Sequence, residues 1–300
     1  MRVPQGFGLN LVAADNPPHV LTLTCDDSVG IVAAVTGLLA DCDGFILDSQ
    51  QYADLDSGRF FMRVAFRGAG PRFPADLAAV QAAFAPAAAR FAMDCQIRDS
   101  AQKPRFVIAV SQGSHCLNDL LHRWSTGNLA IDIVGVVSNH DHQRRLTEWH
   151  GVPFHHLPVS DANRASQEAA ILQIMADAGA DYLVLARYMQ VLSADLTDQL
   201  AGRCINIHHS FLPGFKGAKP YHRAHDRGVK LIGATAHFVT GDLDEGPIIE
   251  QAVERVDHRD RAEDLIRIGR DVEAQVLAKA VRWVAEQRVL IDGRKTVVFR

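Results

Sequence analysis

The residues Asn206-Ile207-His208-His209 end an apolar run that reads as a buried strand, and the stretch 205–228 that they open is crowded with histidine, lysine, arginine and glycine. On an extended segment, residues two apart project to the same side, so Asn206 and His208 can face one crevice. An amide NH2 aimed at a carbonyl oxygen stabilises the oxyanion formed when that carbonyl is attacked, by about 3 kcal/mol per donor. An imidazole moves protons at neutral pH and typically contributes roughly 10²- to 10⁴-fold. The pair points to acyl chemistry without a protein nucleophile. Such a histidine needs a carboxylate to orient and balance it. The segment 231–251 offers Asp242, Asp244 and Glu245 in a loop between a long apolar strand and a second strand after Gly246-Pro247, although an acidic loop alone also reads as a solvated hairpin tip.

Two kinds of element must position these groups. From the start, "HVLTLTCDD" (19–27) reads as a strand, and Ile31, Val35, Leu38 and Leu39 follow at helical spacing. Two strands flank the turn Asp56-Ser57-Gly58. In the second, Phe60, Met62, Val64 and Phe66 alternate with Phe61, Arg63, Ala65 and Arg67, which predicts one buried face and one largely wet. A helix with Leu77, Val80, Phe84 and Phe91 and a strand over 92–99 complete a βαββαβ order, a ferredoxin-like split βαβ sandwich. Residues 1–99 are thus one domain, 100–105 a polar linker and 106–300 a second. In the second, strand and helix alternate, and "IVGVV" and "YLVLA" are unbroken apolar runs, as expected of a doubly wound, mostly parallel α/β sheet covered on both faces. Ligands of such sheets bind beyond the carboxyl ends of the strands, where Asn206 and His208 are expected.

Composition narrows the class. The 300 residues are 48% hydrophobic and 22% charged with a net charge of −4, a globular balance without the basic block that phosphate neutralisation needs, so nucleic acid is not expected as a partner. No run approaches the roughly 18 apolar residues of a membrane span, and the first residues lack the basic head and apolar run of a signal peptide, so no membrane partner and a cytoplasmic location are expected. The five cysteines are scattered without a CxxC pair, which favours reduced thiols over a zinc site. His155-His156 and His208-His209 are adjacent pairs on expected strands, so each pair is expected to split between opposite faces and to ligate no metal.

The turn "CDDSVGI" resembles the Asp-x-x-Gly loop of ACT domains, which implies that Asp27, Gly30 and Ile31 could bind an effector; the alternative is that Asp27 only caps a helix. More extensively, "HCLNDLLHRW", "GVPFHHLPV", "LARYMQVLS", "NIHHSFLP", "GVKLIGATAHFVT", "LDEGPIIEQ", "DLIRIGRD" and "KTVVF", in this order, resemble the folate-dependent formyltransferase family. Within it they look most like the formyltetrahydrofolate deformylases, which join an ACT domain to the formyltransferase-fold domain. The resemblance implies hydrolysis of 10-formyltetrahydrofolate to tetrahydrofolate and formate in one-carbon and purine metabolism. It places the catalytic Asn, His and Asp of that family on Asn206, His208 and Asp244. It implies a pterin-binding wall of Arg187, Met189, Val191 and Leu192 with Val239 and the loop 240–244 opposite, and suggests Lys216 and Lys219 for the folate glutamate tail. His115 and the His-His-Ser reading at 208–210 match the deformylase pattern, and "SQGSHCLNDLL", with one glycine, is a poor phosphate cradle for a nucleotide acceptor. Formyl transfer to a small amine stays open beside hydrolysis. Also implied are folate as substrate with no further cofactor, glycine or methionine as effector at the ACT domain, and a homodimer or homotetramer.

Overall fold

The structure, a computed structural model, describes residues 18–213 and 220–300. Two compact units result, one ending at Gln102 and including Phe299–Arg300, the other Lys103–Val298. The second unit thus starts inside the stretch expected to be linker, because Arg105 already opens a strand and its backbone N–H donates to Asp181 (2.8 Å).

In the first unit the order is β1 (His19–Asp26), α1 (Ile31–Asp41), β2 (Gly44–Asp54), β3 (Arg59–Gly68), α2 (Leu77–Arg90) and β4 (Asp94–Asp99). The strands form an antiparallel sheet ordered β2-β3-β1-β4. Leu21, Leu23, Met62, Val64 and Phe66 meet Ile31, Val35, Leu39, Val80 and Phe84 of the helices in one core. The expected wet face of β3 is not wet. Phe61 and Arg63 are buried as well, because β2 supplies partners across the sheet: Tyr52 stacks on Phe61 with centroids 6.3 Å apart, and Asp48 pairs with the Arg63 guanidinium at 2.9 Å.

The second unit is built on a seven-stranded sheet ordered β11-β10-β9-β8-β5-β6-β7. Its strands are β5 (Arg105–Val110), β6 (Asp132–Ser138), β7 (Phe154–His156), β8 (Tyr182–Leu185), β9 (Cys204–His208), β10 (Leu231–Phe238) and β11 (Ile248–Arg255). β5 to β9 run parallel, and β10 runs antiparallel to both its neighbours, β9 and β11. Helices α3 (His115–Ser125) and α8 (Ala262–Ala285) cover one face through Leu117, Leu121, Val276, Leu277 and Val281. Helices α5 (Arg164–Asp177) and α6 (Ala194–Gln199) cover the other through Ile171, Met175 and Leu196. Shorter helices α4 (Arg144–Trp149) and α7 (Pro220–Asp226) and a final hairpin, β12 (Val289–Asp292) and β13 (Lys295–Val298), complete the unit. From central β5 the chain moves first to β6 and β7 and later to β8 and β9 on the other side. This reversal opens a crevice at the strand ends. Among the described residues no helix is long and apolar enough to cross a membrane.

Candidate active site

Asn206 and His208 lie on β9 with their registered partners on β10, His237 and Thr235, so these side chains share one face of the sheet. The Asn206 amide lies 3.2 Å from Nε2 of His237, whose Nδ1 faces the Phe238 carbonyl oxygen at 2.8 Å. The carbonyl can only accept, so His237 carries its proton on Nδ1 and its Nε2 accepts from Asn206. That bond fixes one amide hydrogen of Asn206 and leaves the other to aim elsewhere. His237 was not singled out from sequence, where it lies inside an apolar strand; the available signal was a titratable residue directly across the ladder from Asn206.

His208 is buried, and its Nδ1 lies 3.2 Å from an Asp244 oxygen. A carboxylate on Nδ1 leaves Nε2 as the free basic nitrogen. Burial would raise the Asp244 carboxyl, but the His208 imidazole hydrogen-bonded to it outweighs that and holds it well below the usual carboxylate range. The backbone of Asp244 is left-handed, at φ 58°, a conformation that costs a non-glycine residue and clusters at functional sites. It is held there by the close return of the loop: a Cβ on Gly246 would sit 1.8 Å from the Phe238 carbonyl oxygen, so only glycine lets the loop close on β10. Asp242 and Glu245, the other two carboxylates of this loop, are exposed, and Glu245 lies 3.8 Å from the Arg294 guanidinium.

His208 and His209 are not split between opposite faces, contrary to the strand-based expectation. Their rings stack, centroids 4.6 Å apart and 28° from parallel. The ladder ends at His208, and the chain then bends around Thr235, whose hydroxyl donates to the Ser210 carbonyl (2.9 Å) and accepts from the Leu212 N–H (3.1 Å). Beyond His209 lies a second polar cluster. Glu273 of α8, 1% exposed, meets His115 Nε2 at 2.8 Å, the Tyr221 hydroxyl at 2.6 Å and Arg187 Nε at 3.3 Å. Burial would raise its carboxyl, yet these partners hold it lowered. His115, Cys116 and Glu273 offer ligand atoms within 4.8 Å of one another. Burial pushes the Cys116 thiol up and Glu273 already has three partners, so the donors suit a hydrogen-bonded charge cluster better than a cation.

Residues 186–193 form an irregular loop between β8 and α6. Arg187 sits at φ 63° and turns its guanidinium to Glu273. Met189 and Val191 are exposed, while Leu192 and Val239 pack against the core under α5 and α6. The loop is pinned from below: Ser111 accepts the Met189 N–H at 3.0 Å, Gln167 donates to the Tyr188 hydroxyl, and Glu168 accepts from the N–H and hydroxyl of Ser193 at 2.9 and 2.5 Å. Lys216 and Lys219 lie outside the described residues. In the first unit Asp27 and Gly30 are exposed and Ile31 is buried. Asp27 does not cap α1; Gly30 occupies the cap position at φ 102° with no side-chain bond.

Comparison with known proteins agrees with the fold of both units. The formyl transferase family model matches residues 104–281. A formyltetrahydrofolate deformylase of a Corynebacterium species is 52% identical over 94% of this chain and 98% of its own. The crystal structure of a formyltetrahydrofolate deformylase from Pseudomonas syringae pv. tomato superposes with a TM-score of 0.92 at 49% identity, covering 97% of each chain. Glycinamide ribonucleotide transformylase 1 from Symbiobacterium toebii is similar over 66% of this chain and 95% of its own, with a TM-score of 0.62 and 30% identity. Matched in this way over both units, the chain belongs to the formyltetrahydrofolate deformylase family, whose larger unit is a formyl transferase domain.

Proposed function

We propose that this chain hydrolyses 10-formyltetrahydrofolate to tetrahydrofolate and formate. The observation that carries the reading is the Asp244–His208 pair beside Asn206, which leaves one basic nitrogen and one amide donor on the same face of the sheet. Water attacks the formyl carbon while His208 Nε2 takes a proton from it. The carbonyl electron pair moves onto oxygen, where the free Asn206 N–H receives it. Asp244 stabilises the imidazolium that results. Collapse breaks the C–N10 bond, N10 receives the proton, and formate leaves. Amide, imidazole and carboxylate supply every step, so the reading needs neither metal nor redox cofactor.

Met189, Val191, Leu192 and Val239 would cover the pterin ring, with the loop 240–244 opposite. Arg187 is a weaker member of this wall, since Glu273 engages its guanidinium. In the smaller unit, Asp27, Gly30 and Ile31 are the proposed site for an amino-acid effector, glycine or methionine, and self-association as a dimer or tetramer belongs to the same reading. The test is turnover of 10-formyltetrahydrofolate with and without an added small amine. Equal formate and tetrahydrofolate without amine are expected; a formylated amine with no free formate would move the assignment to a transferase.

A further inference from the structure

The stacked pair His208 and His209 presents two ring nitrogens of the same kind. Nε2 of each is sealed from solvent and has no hydrogen-bond partner among the described residues. Buried polar atoms are rarely left unpaired, and two on neighbouring stacked rings can share one small partner. The two rings are nevertheless held differently. His208 has Asp244 on Nδ1, which makes it a base. His209 faces Arg187 from the loop after β8 and Tyr221 of α7, whose ring centroid lies 6.5 Å away; both are tied to Glu273 of α8, with His115 of α3 on the same carboxylate. Burial first, then the charges of Arg187 and His208, push His209 down to about 4 against the opposing pull of Glu273 and Asp244. At neutral pH it is an uncharged ring that accepts a hydrogen bond without taking a proton.

Resting on the hydrolytic reading, we propose that His209 grips the attacking water together with His208. Nε2 of His209 accepts one O–H and Nε2 of His208 accepts the other, so an oxygen lone pair is turned toward the formyl carbon. As the new C–O bond forms, the proton on the His208 side passes to His208 and later to N10. The proton on the His209 side stays on oxygen and leaves with the formic acid group. His209 exchanges no proton in the cycle and orients the nucleophile. Burial keeps it in that role, helped by the nearby Arg187 charge that Glu273 anchors.

The experiment begins with formate release by the wild type, whose absence would refute the hydrolytic reading itself and leave His209 no water to hold. With release established, His209→Asn and His209→Ala are compared with wild type in kcat, KM and the competition between water and added hydroxylamine, which captures the formyl group as formohydroxamate. The expected result is a fall in kcat of roughly 10²-fold, the scale for losing the alignment of a reacting group, with KM little changed and product shifted toward the hydroxamate. A kcat near wild type in a folded variant overturns the proposal. So does a loss of kcat and KM together with an unchanged partition, the mark of a merely structural role. Should neither variant fold, wild type labelled with 15N-histidine decides: His209 should stay neutral with Nε2 unprotonated from pH 8 to about pH 5, and a cationic ring in that range overturns the assignment.

Discussion

At the residue scale, the chemistry rests on who holds whom. Asn206 is aimed by His237, and His208 is set by Asp244. Replacing Asn206 with Ala removes the proposed oxyanion donor and should lower kcat by roughly 10²- to 10³-fold, with substrate binding retained in a fluorescence or calorimetric titration. A second prediction concerns acid stability. His209 binds its proton at about 4 in the folded chain against roughly 6.5 when unfolded, so between these values the unfolded chain holds more protons and stability falls as the pH drops. The depressed Asp244 adds a loss of stability at still lower pH, as the medium falls below the ordinary carboxylate range toward its folded value. Urea melts at pH 7 and 5 should therefore show a larger acid loss in wild type than in His209→Asn. Asn206 and His208 were legible from a two-residue period. Asp244 could not be separated from Asp242 and Glu245 by composition, because the backbone turn that selects it is three-dimensional. The stacking of His209 on His208 was misread for a related reason: alternation holds only while the ladder continues, and it stops at His208.

At the element scale, two supports decide whether the crevice keeps its shape. Gly246 closes the Asp244 loop against β10, and Gly246→Ala places a methyl group 1.8 Å from the Phe238 carbonyl oxygen. The loop must then move, and the account predicts a folded protein with unchanged far-ultraviolet dichroism and a large loss of turnover. Glu168 of α5 holds Ser193, the cap of α6, through two hydrogen bonds. Glu168→Ala should slacken the loop 186–193 and raise KM more than it lowers kcat. The alternation of strands and helices announced the doubly wound sheet, and the unbroken apolar runs announced its covered faces. Burial of Phe61 and Arg63 was hidden, since it comes from cross-strand partners that no local pattern reveals. β7 is only three residues long, Phe154–His156, because Pro153 and Pro158 flank it and proline cannot donate to the ladder.

At the scale of the whole molecule, the chain carries a small α/β unit and a larger one, both visible in the change of rhythm near residue 100. If the smaller unit binds an amino-acid effector, glycine or methionine should change turnover by a coupling of about 1 to 3 kcal/mol, roughly 5- to 150-fold. Asp27→Ala should abolish that response, measured as formate release against effector concentration. A rate indifferent to both amino acids would reduce the unit to an assembly or folding module. Family membership was legible because ordered motifs run through most of the chain. The effector was not, because Asp27, Gly30 and Ile31 offer a turn and a helix start common to many ligands.

The most direct test of the central claim is single-turnover formate release in Asp244→Asn beside wild type, with substrate affinity measured in parallel. The account predicts stoichiometric formate from wild type and a fall of roughly 10²- to 10⁴-fold in the variant at unchanged affinity. Release at the wild-type rate in the variant would contradict it, for then the carboxylate beside His208 would take no part in the reaction.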